Sequence, residues 1–148
     1  PIWSVDINES GYKFYMNNVS AAIGLSQIKS MDDVVSKHKR NANLYHVQFA
    51  GNKRIKPLVF PKQSDPAYWV YTLLVDGNRD EIISKLNAMG IGAALVHVPC
   101  HIYTCFEESL CDLPGTNKFY ENQISLPCGW WLEPKDIENI ATELKSML

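Results

Sequence analysis

The sequence contains no run of about 18 apolar residues, so nothing in it reads as a membrane-spanning helix. It has no excess of either charge. Its 14 Lys and Arg stand against 16 Asp and Glu, a formal net charge of −2 that argues against an electrostatic nucleic-acid binder. Repeats and low-complexity stretches are absent, and 46% hydrophobic residues place the composition near the globular average, which excludes disorder. Cysteine is scarce: Cys100, Cys105, Cys111 and Cys128 form no C-x-x-C and no secretory signal precedes them. A reduced, cytoplasmic setting is therefore expected. The chain has no G-x-x-x-x-G-K-[ST], no H-E-x-x-H and no G-x-S-x-G. Its one close glycine pair in a loop, Gly90-Ile91-Gly92, reads as a helix end and strand entry. It begins Pro1-Ile2-Trp3, without Met, as expected of a protein that has lost a leader or of the later part of a longer one.

What is present suits one domain, because a chain of 148 residues buries roughly 68–70% of its unfolded surface without staples. From Asn17 to about Gly51, Ala21, Leu25, Ile28, Val35, Ala42, Tyr45 and Phe49 recur at steps of three, four or seven. That spacing predicts one long helix, capped at Asn17 or Asn18 and stopped at Gly51, with Gly24 the residue at which it could instead kink. Lys37, Lys39 and Arg40 read as its solvated face. At 1.5 Å per residue the helix is ~50 Å long, whereas a compact chain of this size is ~40 Å across. The helix outruns its own domain. Something else is expected to pack along it, and the chain alone is expected to expose a stripe containing Ala21, Leu25 and Ile28.

Further on, Tyr68 to Val75 is aromatic and β-branched and ends at Asp76-Gly77, which predicts a strand and a turn. Asn78 caps a helix with Glu81 completing a capping box; Ile82, Ile83, Leu86 and Met89 give its apolar face, and Gly90 ends it. A second strand is expected at Ala93 to Val98, halted by Pro99, and then a loop from Cys100 to Gly115 with room for one short turn. Asn117 to Gln123 reads as a brief helix and Ile124-Ser125-Leu126 as a short strand. Pro134 opens a last helix with Ile137, Ile140, Ala141, Leu144 and Leu148 on one face. The pattern is α-β-α-β-(α)-β-α, a small sheet covered by helices.

Reactive side chains concentrate between His97 and Cys105, where His97, Cys100, His101 and Cys105 are four potential zinc ligands. Their spacing is poor for a site that joins two separated ligand pairs. Packing of Cys105 and Phe106 inward, a Cys–His nucleophile pair, and a ligand-facing loop with a His at a strand end remain open beside the metal reading. Before the long helix, Lys13 and Asn18 sit beside a helix N-terminus, a generic anion site, although capping alone explains Asn17 and Asn18. In Gly129-Trp130-Trp131, one indole is expected on the sheet and the other at an interface or pocket.

Several segments together resemble one family. Gly11-Tyr12-Lys13-Phe14-x-Met16 followed by Ala21-Ala22-Ile23-Gly24-Leu25-x-Gln27-Ile28 is similar to the G-Y-[NK]-[YF]-x-M…A-A-[IL]-G-L-x-Q-[IL] signature of DegT–DnrJ–StrS aminotransferases. Tyr68-Trp69-x-Tyr71-Thr72-x-x-Val75, Arg79-Asp80-x-x-Ile83-x-x-Leu86-x-x-x-Gly90-Ile91-Gly92, His97 with Pro99, and Leu126-Pro127 agree in order. The resemblance implies an α/β (α+β) fold: the long linking helix (1–51) and small C-terminal domain (52–148) of the fold type I architecture, forming one compact unit. In that family a preceding large domain, absent here, carries the Schiff-base lysine. The implied activity of the intact protein is transfer of an amino group, typically from glutamate, to a keto nucleotide sugar with pyridoxal phosphate.

The resemblance also assigns residues. Lys13 and Asn18 correspond to the loop that reaches the cofactor phosphate of the other subunit in a homodimer, although many relatives have Asn at the position of Lys13 and Arg at that of Tyr15. Tyr12, His97 and His101 fall near the sugar-binding cleft, with Val98 in place of a common aromatic. No catalytic residue is expected in this chain, no bound cofactor or metal in the chain alone, and the chain alone is expected to be inert. A non-catalytic binding or dimerisation module of the same fold is the alternative.

Overall fold

A computed structural model describes residues 5–109 and 111–148. The long helix is present but broken. Helix α1 (Asn18–Gln27) passes through a 3-10 turn (Ile28–Ser30) into α2 (Met31–Phe49). The interruption falls at Ile28–Ser30 and not at Gly24. Ser26 and Ser30 turn their hydroxyls back onto the carbonyls of Ile23 (2.7 Å) and Gln27 (2.9 Å), the local competition that bends helices at serine. Asn17 is the cap of α1 and accepts the Ser20 amide at 2.9 Å. Gly51, at φ 74°, takes the left-handed conformation that ends α2.

Three short strands form one antiparallel sheet in the order β1 (Ile55–Pro57), β2 (Val70–Val75), β3 (Gln123–Pro127). Ile55 opposes Val75, and Val70 opposes Pro127. Strand β1 carries no signal in its three residues, yet Pro57 suits the end of an edge strand, where no further ladder donor is needed. Tyr71, Leu73 and Val75 alternate onto the face packed by α2 and by α5 (Pro134–Ser146). Ala42, Tyr45 and Phe49 meet Ile137, Ile140, Ala141 and Leu144 there, while Ile82 and Leu86 of α3 (Arg79–Ala88) close the core. Burial of each large side chain contributes about 1.5–3 kcal/mol.

Several expectations change. The strand awaited at Ala93–Val98 reduces to one bridge, in which Ala94 and Ser125 exchange both backbone hydrogen bonds. The flanking carbonyls are taken by side-chain amides instead: Asn87 donates to Ala93 at 2.9 Å and Gln123 to His97 at 2.9 Å. Strand β2 starts at Val70 because Tyr68 sits at φ 53°, which ends extended structure. The capping box at Asn78 is half-made. Its side chain accepts the Glu81 amide at 3.3 Å, but the Glu81 carboxylate pairs with Lys85 at 2.6 Å. The complete box is at the start of α5, between Glu133 and Asp136. The segment after Pro99 holds two 3-10 turns, Cys100–Ile102 and Thr104–Ser109, and α4 begins at Pro114. Phe106 is exposed and Cys105 half-buried, so of the open readings of that loop, inward packing through Phe106 is not the one observed.

Neither indole of the Trp pair lies on the sheet; both are exposed and meet edge to face at 6.0 Å. Trp131 instead lies across Gly129, where an added Cβ would come within 2.3 Å of its ring. The helical stripe also divides: Ala42, Tyr45 and Phe49 are buried, Ala21 is half-buried, and Leu25 and Ile28 stand exposed. No helix among the described residues is long and apolar enough to cross a membrane.

Candidate substrate and cofactor surface

The N-terminal arm is tied to the loop that follows the Ala94 bridge. Asp6 accepts the Thr104 hydroxyl at 2.6 Å and the Thr104 amide at 3.0 Å, and Cys105 donates its amide to the Ile7 carbonyl at 2.9 Å. The Thr104 hydroxyl, followed by its amide, holds the Asp6 carboxyl below its ordinary value. This junction joins positions 98 residues apart, which no local sequence pattern announces.

From Ile7 the arm runs to Tyr12, at most about 17 Å further on, and then to Lys13 and α1. Tyr12 is 91% exposed and Lys13 is exposed as well. Asn18 is the first residue of α1, one past the cap. Its own amide and that of Val19 lie in the first turn, where backbone N–H groups lack helical partners. A cation at Lys13 close in sequence to those donors suits an anion.

His97 is exposed, between the buried Val96 and Pro99, and its carbonyl is pinned by Gln123. Pinning the backbone while the neighbours face inward fixes where the imidazole leaves the fold. His101 is half-buried in the Cys100–Ile102 turn. The structure therefore brings His97 and His101 into one loop and ties the arm to its far end. No hydrogen bond or ion pair among the described residues links Tyr12, Lys13 or Asn18 to either histidine. Nor do three His, Cys, Asp or Glu side chains converge as ligands among the described residues, so the zinc reading of this loop has no donor set.

Other reactive groups are structural. Burial pushes the Cys128 thiol up to about 12, and its Sγ lies 3.4 Å from the His38 carbonyl, so it is a poor nucleophile. Fully buried Asn41 donates to the Gly129 carbonyl at 2.8 Å, and Tyr45 donates to the Pro127 carbonyl at 2.9 Å. These bonds clamp α2 to the chain between β3 and α5. Sequence reading missed Asn41; the only available signal was a polar residue beside the core stripe.

The sequence profile of the DegT/DnrJ/EryC1/StrS aminotransferase family matches residues 3–145. The chain belongs to this family. It is 30% identical to the GDP-perosamine synthase of Caulobacter vibrioides, covering 93% of this chain and 39% of that protein. It is 24% identical to a Campylobacter jejuni UDP-4-amino-4,6-dideoxy-N-acetyl-beta-L-altrosamine transaminase, over 99% of this chain and 41% of the relative. Its fold is similar to that of the sugar aminotransferase CalS13 from Micromonospora echinospora, with a TM-score of 0.84, 28% identity, and coverage of 93% of this chain and 37% of the other. The chain spans about 40% of the length of the relatives it matches. The family depends on pyridoxal phosphate.

Among these residues, a cation, Lys13, and the free amides at the N-terminus of α1 are groups of the kind that bind a phosphate such as the cofactor's. No lysine among the described residues is buried, and Lys37, Lys39 and Lys85 are held in surface ion pairs at 2.6–2.7 Å. A Schiff-base lysine needs a desolvated pocket or a neighbouring cation, and none of these has the first.

Proposed function

We propose that this chain is the linking helix and small C-terminal domain of an aminotransferase that moves an amino group, typically from glutamate, onto a keto nucleotide sugar. The products would serve surface-polysaccharide or deoxysugar biosynthesis in the cytoplasm. The observation that carries the reading is the family match over residues 3–145 of a chain that covers only about 40% of its relatives. Residues 1–51 and 52–148 form one unit in this reading, and a large domain outside this chain supplies the Schiff-base lysine.

Bound pyridoxal phosphate supplies the electron sink for the transfer. This chain's residues bind and orient. Lys13, as a point charge, and Asn18, at the helix N-terminus, contact the phosphate of the cofactor held by the other subunit of a homodimer. Tyr12, His97 and His101 face the nucleotide sugar, with the two imidazoles positioned to hydrogen-bond sugar hydroxyls. The chain by itself is inert.

The test begins with the coding sequence upstream of Pro1. The protein made from the full reading frame is assayed with glutamate, pyridoxal phosphate and keto nucleotide sugars, beside the chain alone. Activity of the full product, its loss in the chain alone and a raised cofactor Kd in Lys13→Ala support the proposal. A reading frame that opens just before Pro1, or turnover by the chain alone, contradicts it.

A further inference from the structure

A second pocket lies at the other end of the sheet. The last β1–β2 pair is Pro57 with Leu73, so β2 runs on to Val70 with no strand beside it on that side. Ser125 spends its N–H and C=O on Ala94, so Ile124 and Leu126 are the β3 residues that bond β2, through Leu73 and Tyr71. By alternation, Val70 and Thr72 aim their backbone N–H and C=O groups at the open side. The segment from Leu58 to Trp69 arches over this edge and leaves a cavity of about 270 Å³.

Its walls are rings. Tyr68 meets Phe60 edge-on at 5.8 Å and lies nearly parallel to Tyr71 at 6.4 Å, while His46 stands edge-on to both tyrosines at 6.2 and 5.2 Å. Tyr68 holds this place at φ 53°, a costly conformation for an aromatic residue, fastened by His38, whose Nδ1 lies 2.8 Å from the Tyr68 carbonyl. His46 Nδ1 is engaged with the Tyr71 hydroxyl at 3.0 Å, and its Nε2 has no hydrogen-bond partner among the described residues. No Asp, Glu, Lys or Arg lines the cavity. Burial holds His46 below its ordinary value and so keeps it neutral near pH 7.

We propose that this cavity binds an uncharged planar aromatic group, stacked on Tyr68 and edge-on to Phe60, with a hydrogen-bonding edge toward His46 Nε2. The volume admits a ring-sized group rather than a whole nucleotide sugar. The absence of charge on the walls disfavours phosphate and carboxylate. The site is separate from the His97 loop. Gln123, which holds the His97 carbonyl, opposes Leu74, whereas the cavity sits where β2 opposes Leu126 and Pro127, about 10–13 Å along the strand. The inference does not depend on the amino-transfer reading.

Calorimetric titration of the 148-residue chain with benzamide, uridine and UDP tests it. Benzamide and uridine are expected to bind saturably, with UDP no tighter than uridine. Tyr68→Gly keeps the backbone conformation without strain and removes one wall; His46→Leu removes the polar group. Each is expected to weaken binding by about tenfold, the scale of one lost aromatic contact. Trp131→Leu, outside the cavity, is expected to change nothing. Failure of all three probes to saturate, saturation by UDP alone, or unchanged binding in both variants would overturn the proposal.

Discussion

The two halves of the long helix differ in residues and in surroundings: α1 carries no charged side chain, whereas α2 carries Asp32, Asp33, Lys37, Lys39 and Arg40. In α2, Ala42, Tyr45 and Phe49 are buried against the sheet and α5, and Asn41 and Tyr45 bond backbone carbonyls across the interface. In α1, Val19 and Leu25 are 69–71% exposed, and no residue of the helix is buried. Helices in water draw most of their stability from an apolar face packed on something. Only one half of this helix has that within the described residues. Composition alone points the other way, since the half without charge is the exposed one; what lies opposite decides which half is buried.

The sharpest contrast is between truncations of equal kind. Tyr45→Ala is expected to cost about 3–5 kcal/mol in urea unfolding, and Leu25→Ala to stay within about 0.5 kcal/mol. A large effect at Leu25 would break the comparison. Next comes the clamp: Asn41→Ala leaves the buried Gly129 carbonyl without its donor and is expected to cost about 2–3 kcal/mol. Gly129→Ala drives a methyl into the Trp131 ring and is expected to cost about 1–3 kcal/mol. Pairing it with Trp131→Ala should remove much of that cost, and full additivity of the two changes would count against ring contact as the cause.

Smaller effects probe each half alone. Asn17→Ala removes the α1 cap, worth about 1 kcal/mol locally. Faster amide exchange at Ser20 and Ala21 with an unchanged urea midpoint is the expected result, because α1 is uncoupled from the core. On the α2 side, burial holds His46 below its ordinary value of 6.5. The unfolded state then takes up a proton as pH falls through about 6.5 while the folded state does not, so stability present above that pH declines below it. His46→Gln is expected to flatten this slope, measured by unfolding at pH 5, 6 and 7.

Much of the frame was legible because it is periodic and local. The α2 and α5 stripes, the alternation in β2, the Asn17 cap and the glycine ends of α2 and α3 each follow from a few neighbouring residues. What escaped depends on distance. The three-residue β1 exists because Val75 lies opposite it, and the Ala93–Val98 segment failed to extend as a strand because Asn87 and Gln123 took its carbonyls. Of the Trp pair, the indole expected on the sheet is not there, since the Trp131 ring lies across Gly129, a contact no local pattern announces. The expectation that one ring lines a pocket holds for Trp131. At the candidate site, family resemblance pointed to Tyr12, Lys13, Asn18, His97 and His101 as the residues to test. The Asp6–Thr104 tie that joins the arm to the histidine loop was not, since its partners are 98 residues apart.

Amide hydrogen exchange across the whole helix, in this chain and in the product of the full reading frame, tests the central claim most directly. The account predicts slow exchange over Asn41–Phe49 in both. Over Val19–Gln27 it predicts fast exchange in the chain alone and slow exchange in the longer protein, where the rest of the enzyme covers α1. Fast exchange of α1 in both proteins, or slow exchange already in the monomeric chain, would contradict it.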